Sequence, residues 1–313
     1  MPLTEKLISS FLAFELDIDI NSPIHSIRTN AIKKFERLGF PNRKLENWKY
    51  TSLNRIIKED YTVFSKKKNV IDFKKVQDYF LDNIETYKII FVDGYFDPFL
   101  SQTSHDGIDI CIMSAALTKT KYSKIINKFF NKSANPEDSL TSLNTAFSKE
   151  GVYIHIPKNT VLDKPVEIIH FATGNEAALM LQPRNLVVVE ENSELEIIES
   201  HQSLTVNPIF TNSVTEIFAL RNSNVDYYKI QNDVITSSLV DNTYISQKRN
   251  SEVKVHTFSF GGKLTRNNLN FYQKDKAINS TMNGVTIIDC DQLVDHHTLV
   301  HHANPNCESH QDY

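Results

Sequence analysis

The chain has 313 residues, of which 40% are hydrophobic and 23% charged, a balance ordinary for a folded globular protein and unlike that of a disordered one. A formal charge of −4 leaves no basic surplus for a nucleic-acid backbone, and the short run Lys66-Lys67-Lys68 reads as a solvated face. Three irregularly spaced cysteines, Cys111, Cys290 and Cys307, do not make a disulfide framework and suit a reducing compartment; with no signal-like start and no long apolar run, the reading is a cytoplasmic protein that engages neither membrane nor nucleic acid.

Residues 1–150 read as a mainly helical domain with a small β-hairpin. Ser22 is suited to cap a helix with Pro23 in its first turn, and Ile24, Ile27, Ala31, Ile32, Phe35 and Leu38 recur at three- and four-residue spacing until Gly39. Trp48, the one tryptophan, follows that stop beside Tyr50 and is expected to anchor the helical region on its neighbour. Tyr87 to Val92 and Tyr95 to Leu100 flank Asp93-Gly94, a two-residue type I′ hairpin signal. Helices are predicted over Tyr122 to Phe130 and Ser139 to Lys149, with Gly151 just past the second.

From Val152 the apolar period changes from 3.6 to 2, and residues 151–313 read as strands and tight turns. Asn192-Ser193-Glu194-Leu195-Glu196-Ile197, Asn222-Ser223-Asn224-Val225-Asp226-Tyr227 and Asn250-Ser251-Glu252-Val253-Lys254-Val255 repeat one pattern: a polar turn, then strict alternation. A second series, Asn212-Ser213-Val214-Thr215 and Asn242-Thr243-Tyr244-Ile245, suggests two strands in each unit. No such unit buries its own apolar face, so the repeats predict a stacked β-solenoid with Leu195, Val225 and Val253 in register and buried. The fold class is therefore α+β: a helical N-terminal domain followed by a β-solenoid.

The densest group of metal-ligand types comes last. Asp295-His296-His297-Thr298-Leu299-Val300-His301-His302 is followed by Cys307 and His310, and imidazole with thiolate is a borderline-to-soft donor set. His302 and Cys307 are the candidate metal ligands. Cys111 and Cys290 have no basic neighbour to activate them and read as small hydrophobes. Gly261-Gly262-Lys263 lacks the upstream glycine and the Ser/Thr of a phosphate-binding loop, so no ATP hydrolysis is expected. Glu194 and Glu196, carboxylates of the kind a β-helix carbohydrate-active enzyme displays, fall on outward positions of a solvated sheet face. No catalytic residue is assigned, and the chain is read as a non-enzyme.

Several stretches together resemble one family. Pro41-Asn42-Arg43-Lys44-Leu45-Glu46-Asn47-Trp48-Lys49-Tyr50-Thr51-Ser52-Leu53, Phe91-Val92-Asp93-Gly94-Tyr95, Leu143-Asn144-Thr145-Ala146-Phe147, Gly151-Val152-Tyr153-Ile154-His155-Ile156-Pro157 and Asp295 through Ser309 are similar, in order and spacing, to the SufD family. Its members belong to the SufB, SufC, SufD iron–sulfur cluster assembly scaffold. The resemblance implies a helical N-terminal domain, a right-handed parallel β-helix and a C-terminal helical domain. It also implies pairing with SufB through the β-helix and a complex with the SufC ATPase. The sequence stops at Tyr313 in strand-like residues, so the β-helix is expected to be incomplete at its C-terminus and the SufC-docking domain to be missing. No intrinsic cofactor is assigned. A transient iron–sulfur cluster shared with SufB is what the family implies, and flavin binding is left open. The alternatives are a SufB-type paralogue of the same scaffold and a β-helix carbohydrate-active enzyme.

Overall fold

The computed structural model describes residues 1–16, 24–63, 68–103 and 108–313. The expected cap at Ser22 and Pro23, and Lys66 and Lys67 of the basic run, lie outside the described residues. Five helices are described: α1 (Leu3–Leu16), α2 (His25–Leu38), α3 (Met113–Thr118), α4 (Thr120–Phe129) and α5 (Ser139–Ala146). The strands are β1 (Tyr87–Val92), β2 (Tyr95–Phe96), β3 (Asp109–Ile112), β4 (Val152–Ile156), β5 (Val166–Ala172), β6 (Leu179–Leu181), β7 (Arg184–Val189) and β8 (Glu194–Ser203). They continue with β9 (Ile209–Ala219), β10 (Asn224–Gln231), β11 (Ser237–Gln247), β12 (Glu252–Ser259), β13 (Leu264–Gln273), β14 (Asn279–Thr286), β15 (Leu293–His302) and β16 (Glu308–Asp312).

From β7 to β16 successive strands alternate between two eight-stranded sheets, the arrangement a coiling chain must produce, and pairing is parallel except at the outer β1–β2 and β3–β4 pairs. One sheet runs β16-β14-β12-β10-β8-β5-β1-β2 and the other β15-β13-β11-β9-β7-β4-β3, with β6 also paired to β9. This is the predicted solenoid, of about six turns. Val225 lies directly between Leu195 and Val253, and all three are at most 2% exposed. The second series of repeats pairs differently from its sequence match: Asn242 lies opposite Val214, not Asn212. The two-residue slip keeps every side chain on its own face, which is why sequence likeness alone did not reveal it.

The corner before each first-sheet strand from β5 onward holds one residue in the left-handed region: Asn159, Asn192, Asn222, Asn250, Ala277 and Asn306, with φ between 57° and 60°. Asparagine tolerates that conformation better than other non-glycine residues. It also permits a side-chain ladder. The amide of Asn192 donates to Asn159 (2.8 Å), that of Asn222 to Asn192 (2.7 Å) and that of Asn250 to Asn222 (3.0 Å).

The hairpin at Asp93-Gly94 forms as expected, with positive φ at both residues and Phe91 opposite Phe96. Yet β1 also pairs in parallel with β5, so it is the first rung of one solenoid sheet, just as β3 borders the other. The helices α2, α4 and α5 lie within two residues or so of their predicted starts, and Gly39 (φ 66°) ends α2 with its N–H on the Phe35 carbonyl. Helix α1 was not predicted, although Leu3, Leu7, Phe11 and Phe14 make a helical stripe. The helical layer covers the outer face of the second sheet: Phe35, Trp48, Leu143 and Phe147 pack with Phe210, Val240 and Leu264, while Tyr122, Ile126 and Phe129 pack with Tyr153, Val188 and Phe218.

A buried ion pair fixes this layer. Arg184 and Glu216 are fully buried and 2.6 Å apart, and Glu216 accepts the backbone N–H groups of Asn131, Ser133 and Ala134 in the loop between α4 and α5. With those partners the carboxylate is satisfied on all sides, which burying a charge requires.

Candidate functional site in the solenoid lumen

Inward positions follow from strand alternation, and they divide the lumen into two halves. On β8, β10 and β12 the first inward residues are apolar: Leu195 and Ile197, Val225 and Tyr227, Val253 and Val255. The next inward pairs are Glu199 and His201, Lys229 and Gln231, and Thr257 and Ser259. These three strand ends turn a corner into β9, β11 and β13, which carry the inward polar residues Ser213, Asp241 and Asn267, and His296 of β15 continues the series after β14. The polar ends therefore face polar starts, and one side of the lumen becomes a buried polar file.

At its head, the rings of Phe91, His170 and His201 stack on successive rungs, with centroids 5.0 and 4.6 Å apart and planes within 12° of parallel. Glu199 lies beside them. Its carboxylate meets His170 Nε2 at 3.0 Å, accepts from Asn185 Nδ2 at 3.2 Å and receives the Tyr227 hydroxyl. Below, the ammonium of Lys229 contacts Asp241 (2.6 Å), Thr243 and Asn267 (2.9 Å each), and Asn267 reaches Thr257 (3.2 Å) and His296 Nδ1 (3.4 Å). Several polar groups of the file are left without a hydrogen-bond partner, Ser213 Oγ, Gln231 Oε1, Ser259 Oγ and the ring of His201 among them. Both ring nitrogens of His201 are buried without a hydrogen-bond partner, and its Nε2 is 4.0 Å from Glu199.

Burial sets the electrostatics of the file. It would raise the Glu199 carboxyl, but His170, His201 and the Tyr227 hydroxyl outweigh it and hold that group down at about 2. Burial, reinforced by His170, lowers His201 to about 3, so its imidazole is neutral near neutral pH. Tyr227 is pushed well above its ordinary value by burial and then by Glu199, and Asp241 is pushed up by burial despite Lys229. A cavity of about 20 Å³ adjoins Glu199, His201, Lys229 and Asp241, room for about one water-sized occupant. His170 borders another, of about 40 Å³, beneath Gly94, Tyr95 and Phe147.

Among the described residues, His170, Glu199 and His201 are the one group of three or more metal-ligand types whose donor atoms all lie within 4.8 Å of one another. The candidates His302 and Cys307 do not enter such a group. His302, exposed at the end of β15, meets Ser309 Oγ at 3.1 Å, and the Cys307 thiol donates to the Asp275 carbonyl at 3.2 Å. Of the neighbouring histidines, His296 faces the lumen and contacts Thr286 and the Tyr313 ring, whereas His297 and His301 lie on the opposite face of the strand. Glu194 and Glu196 are solvent-exposed, as their outward positions predicted. Sequence reasoning missed the lumenal triad, although one signal was available: Glu199 and His201 continue the inward parity of Leu195 and Ile197, and polar residues there break an apolar series.

Two family models cover almost all of the chain. Residues 4–168 match the SufBD protein N-terminal region, and residues 170–313 match the SufBD core domain of the SUF system for FeS cluster assembly. Curated relatives agree. The chain is 26% identical over 292 residues to the iron-sulfur cluster assembly SufBD family protein slr0076 of Synechocystis sp., an alignment covering 91% of this chain and 64% of that protein. It is 25% identical over 269 residues to the iron-sulfur cluster assembly protein SufD of Bacillus subtilis, covering 80% and 58%, and 20% identical over 283 residues to SufD of Escherichia coli, covering 90% and 63%. The chain thus spans roughly three-fifths of the length of each of these relatives.

Proposed function

The chain belongs to the SufBD family, and from that premise we propose that it acts as a SufD-type scaffold subunit in iron–sulfur cluster assembly, pairing with SufB and working with the SufC ATPase in the cytoplasm. The match of both family models, end to end along 4–168 and 170–313, is the observation that carries this reading. Two of the three relatives above bear the name SufD, which favours the SufD type over a SufB-type paralogue. In this role the chain binds and positions without turning over a substrate, and any cluster it meets is transient and shared with SufB. At the start of the outer face, Glu194, Glu196 and Asn224 are exposed beside the half-buried Asp226, Glu252 and Lys254, which supports a solvated surface rather than a polysaccharide-cleaving groove. Cys307 and His302 are proposed to contribute ligands to that transient handling.

Co-expression of the tagged chain with SufB and SufC tests this. SufB should co-purify, and reconstituted iron should fall when Cys307 and His302 are both replaced. Failure to capture SufB, or hydrolysis of a polysaccharide by the chain alone, would overturn the scaffold reading, and unchanged iron in the double variant would remove those two ligands from it.

A further inference from the structure

We propose that His170, Glu199 and His201 form an internal site for one divalent metal ion of the iron–cobalt–zinc class, held inside the solenoid lumen. Two imidazoles and a carboxylate are the donor set that borderline divalent metals take, with positions left open for other ligands. The His170 Nε2 and Glu199 oxygens are 3.0 Å apart, and all donor atoms lie within 4.8 Å. Ligands about 2.1 Å from a tetrahedral metal sit roughly 3.4 Å from one another, so His170 and Glu199 need part only slightly, while the His201 ring has to swing by about an ångström from its stack on His170.

The second observation is His201 itself. A buried imidazole with neither nitrogen bonded forgoes the hydrogen bonds that buried polar groups normally make, and a metal ion would use one of those lone pairs. The surroundings are those of a prepared ligand set. Asn185 and Tyr227 both bond Glu199 and fix its carboxylate, as outer partners of metal ligands do. Lys229, a cation of the same file, is already paired with Asp241, and the cavity of about 20 Å³ beside Glu199 and His201 leaves space for a further ligand. This site is separate from His302 and Cys307 and does not depend on the assembly role.

Cobalt(II) is the probe. The full chain is incubated anaerobically with cobalt(II), freed of excess by gel filtration, and read by metal analysis and visible absorption. One ion per chain with d–d bands and no thiolate charge-transfer band is expected. His201→Phe, which keeps the ring stack, and Glu199→Gln should each weaken retention at least about tenfold, while His302→Ala with Cys307→Ser should leave it unchanged. No cobalt on the wild-type chain, or equal cobalt on both lumenal variants, overturns the proposal. Should those variants not fold, the wild-type spectrum still decides, since a sulfur-to-metal band in the near ultraviolet assigns the ion to a cysteine and rejects the lumenal site. Neither SufB nor SufC is present in the measurement, so its outcome is independent of the scaffold reading.

Discussion

The guanidinium of Arg266, on β13, lies over the ring of Trp48, 4.1 Å from its centroid, and so ties the loop after α2 to the far end of the second sheet. The same guanidinium donates to the Asn47 carbonyl at 2.6 Å and pairs with Asp295, which also receives the Thr51 hydroxyl. The tryptophan is the anchor that its lone occurrence suggested, and the partner that holds it is a planar cation. Trp48→Ala should cost about 3–5 kcal/mol. Arg266→Lys keeps the charge but loses the flat fork, and should cost roughly 1–3 kcal/mol. Urea denaturation of each variant measures both.

Glu216→Ala strands Arg184 in a dry interior and releases three backbone N–H groups, so a loss of about 3–5 kcal/mol is expected. Replacing both members of the pair, Arg184→Met with Glu216→Leu, should recover a good part of it, because no buried charge is then left uncompensated. Thermal unfolding of the two variants side by side gives the comparison, and an equal loss in both would show that the loop contacts, not the charge, carry the cost.

The depressed His201 fixes the direction of a pH effect. Its folded value of about 3 lies below the ~6.5 of an unfolded histidine, so between these limits the unfolded chain binds a proton that the folded chain refuses. Stability from this group is complete above pH ~6.5 and falls toward pH ~3, at up to about 1.4 kcal/mol per unit. Glu199, held at about 2 against ~4.3 unfolded, adds its own loss at lower pH, in the same direction. Urea midpoints taken with chelator present, from about pH 5 to 6.5 where carboxylates of ordinary pKa are already ionised, should show a slope that His201→Phe reduces by about one proton.

Ala277 interrupts the asparagine series at the corners while keeping the same φ of 58°. Alanine gains nothing from the left-handed region, and its side chain cannot extend the ladder beyond Asn250. Ala277→Asn is expected to stabilise the fold by about 0.5–1 kcal/mol. A rise in the urea midpoint with an unchanged slope is the confirming result.

The alternation after each Asn-Ser turn was enough to predict the solenoid, because period and repeat are both local. What the residues could not show locally was register: the second-sheet repeats were matched at Asn212 and Asn242, but pairing depends on how much chain each corner consumes. The same limit hid the lumenal site. The parity of Glu199 and His201 is visible along β8, whereas the rung that brings His170 onto His201 is set by the pairing of β5 with β8. The terminal histidines drew attention by density, yet alternation sends them to opposite faces of one strand.

Coil length is not constant: 30 residues separate Leu195 from Val225, 28 separate Val225 from Val253, and 27 separate Val253 from Ser280, though each pair is in register. All of the difference is taken up at the bends. Insertions and deletions at an exposed bend such as residues 287–291 should therefore pass without disturbing the stack. One residue added within β10 has the opposite effect, turning Lys229 and Gln231 outward and bringing Tyr228 and Ile230 into the polar file. Gene variants of this chain should thus differ in length between strands and hardly ever within them.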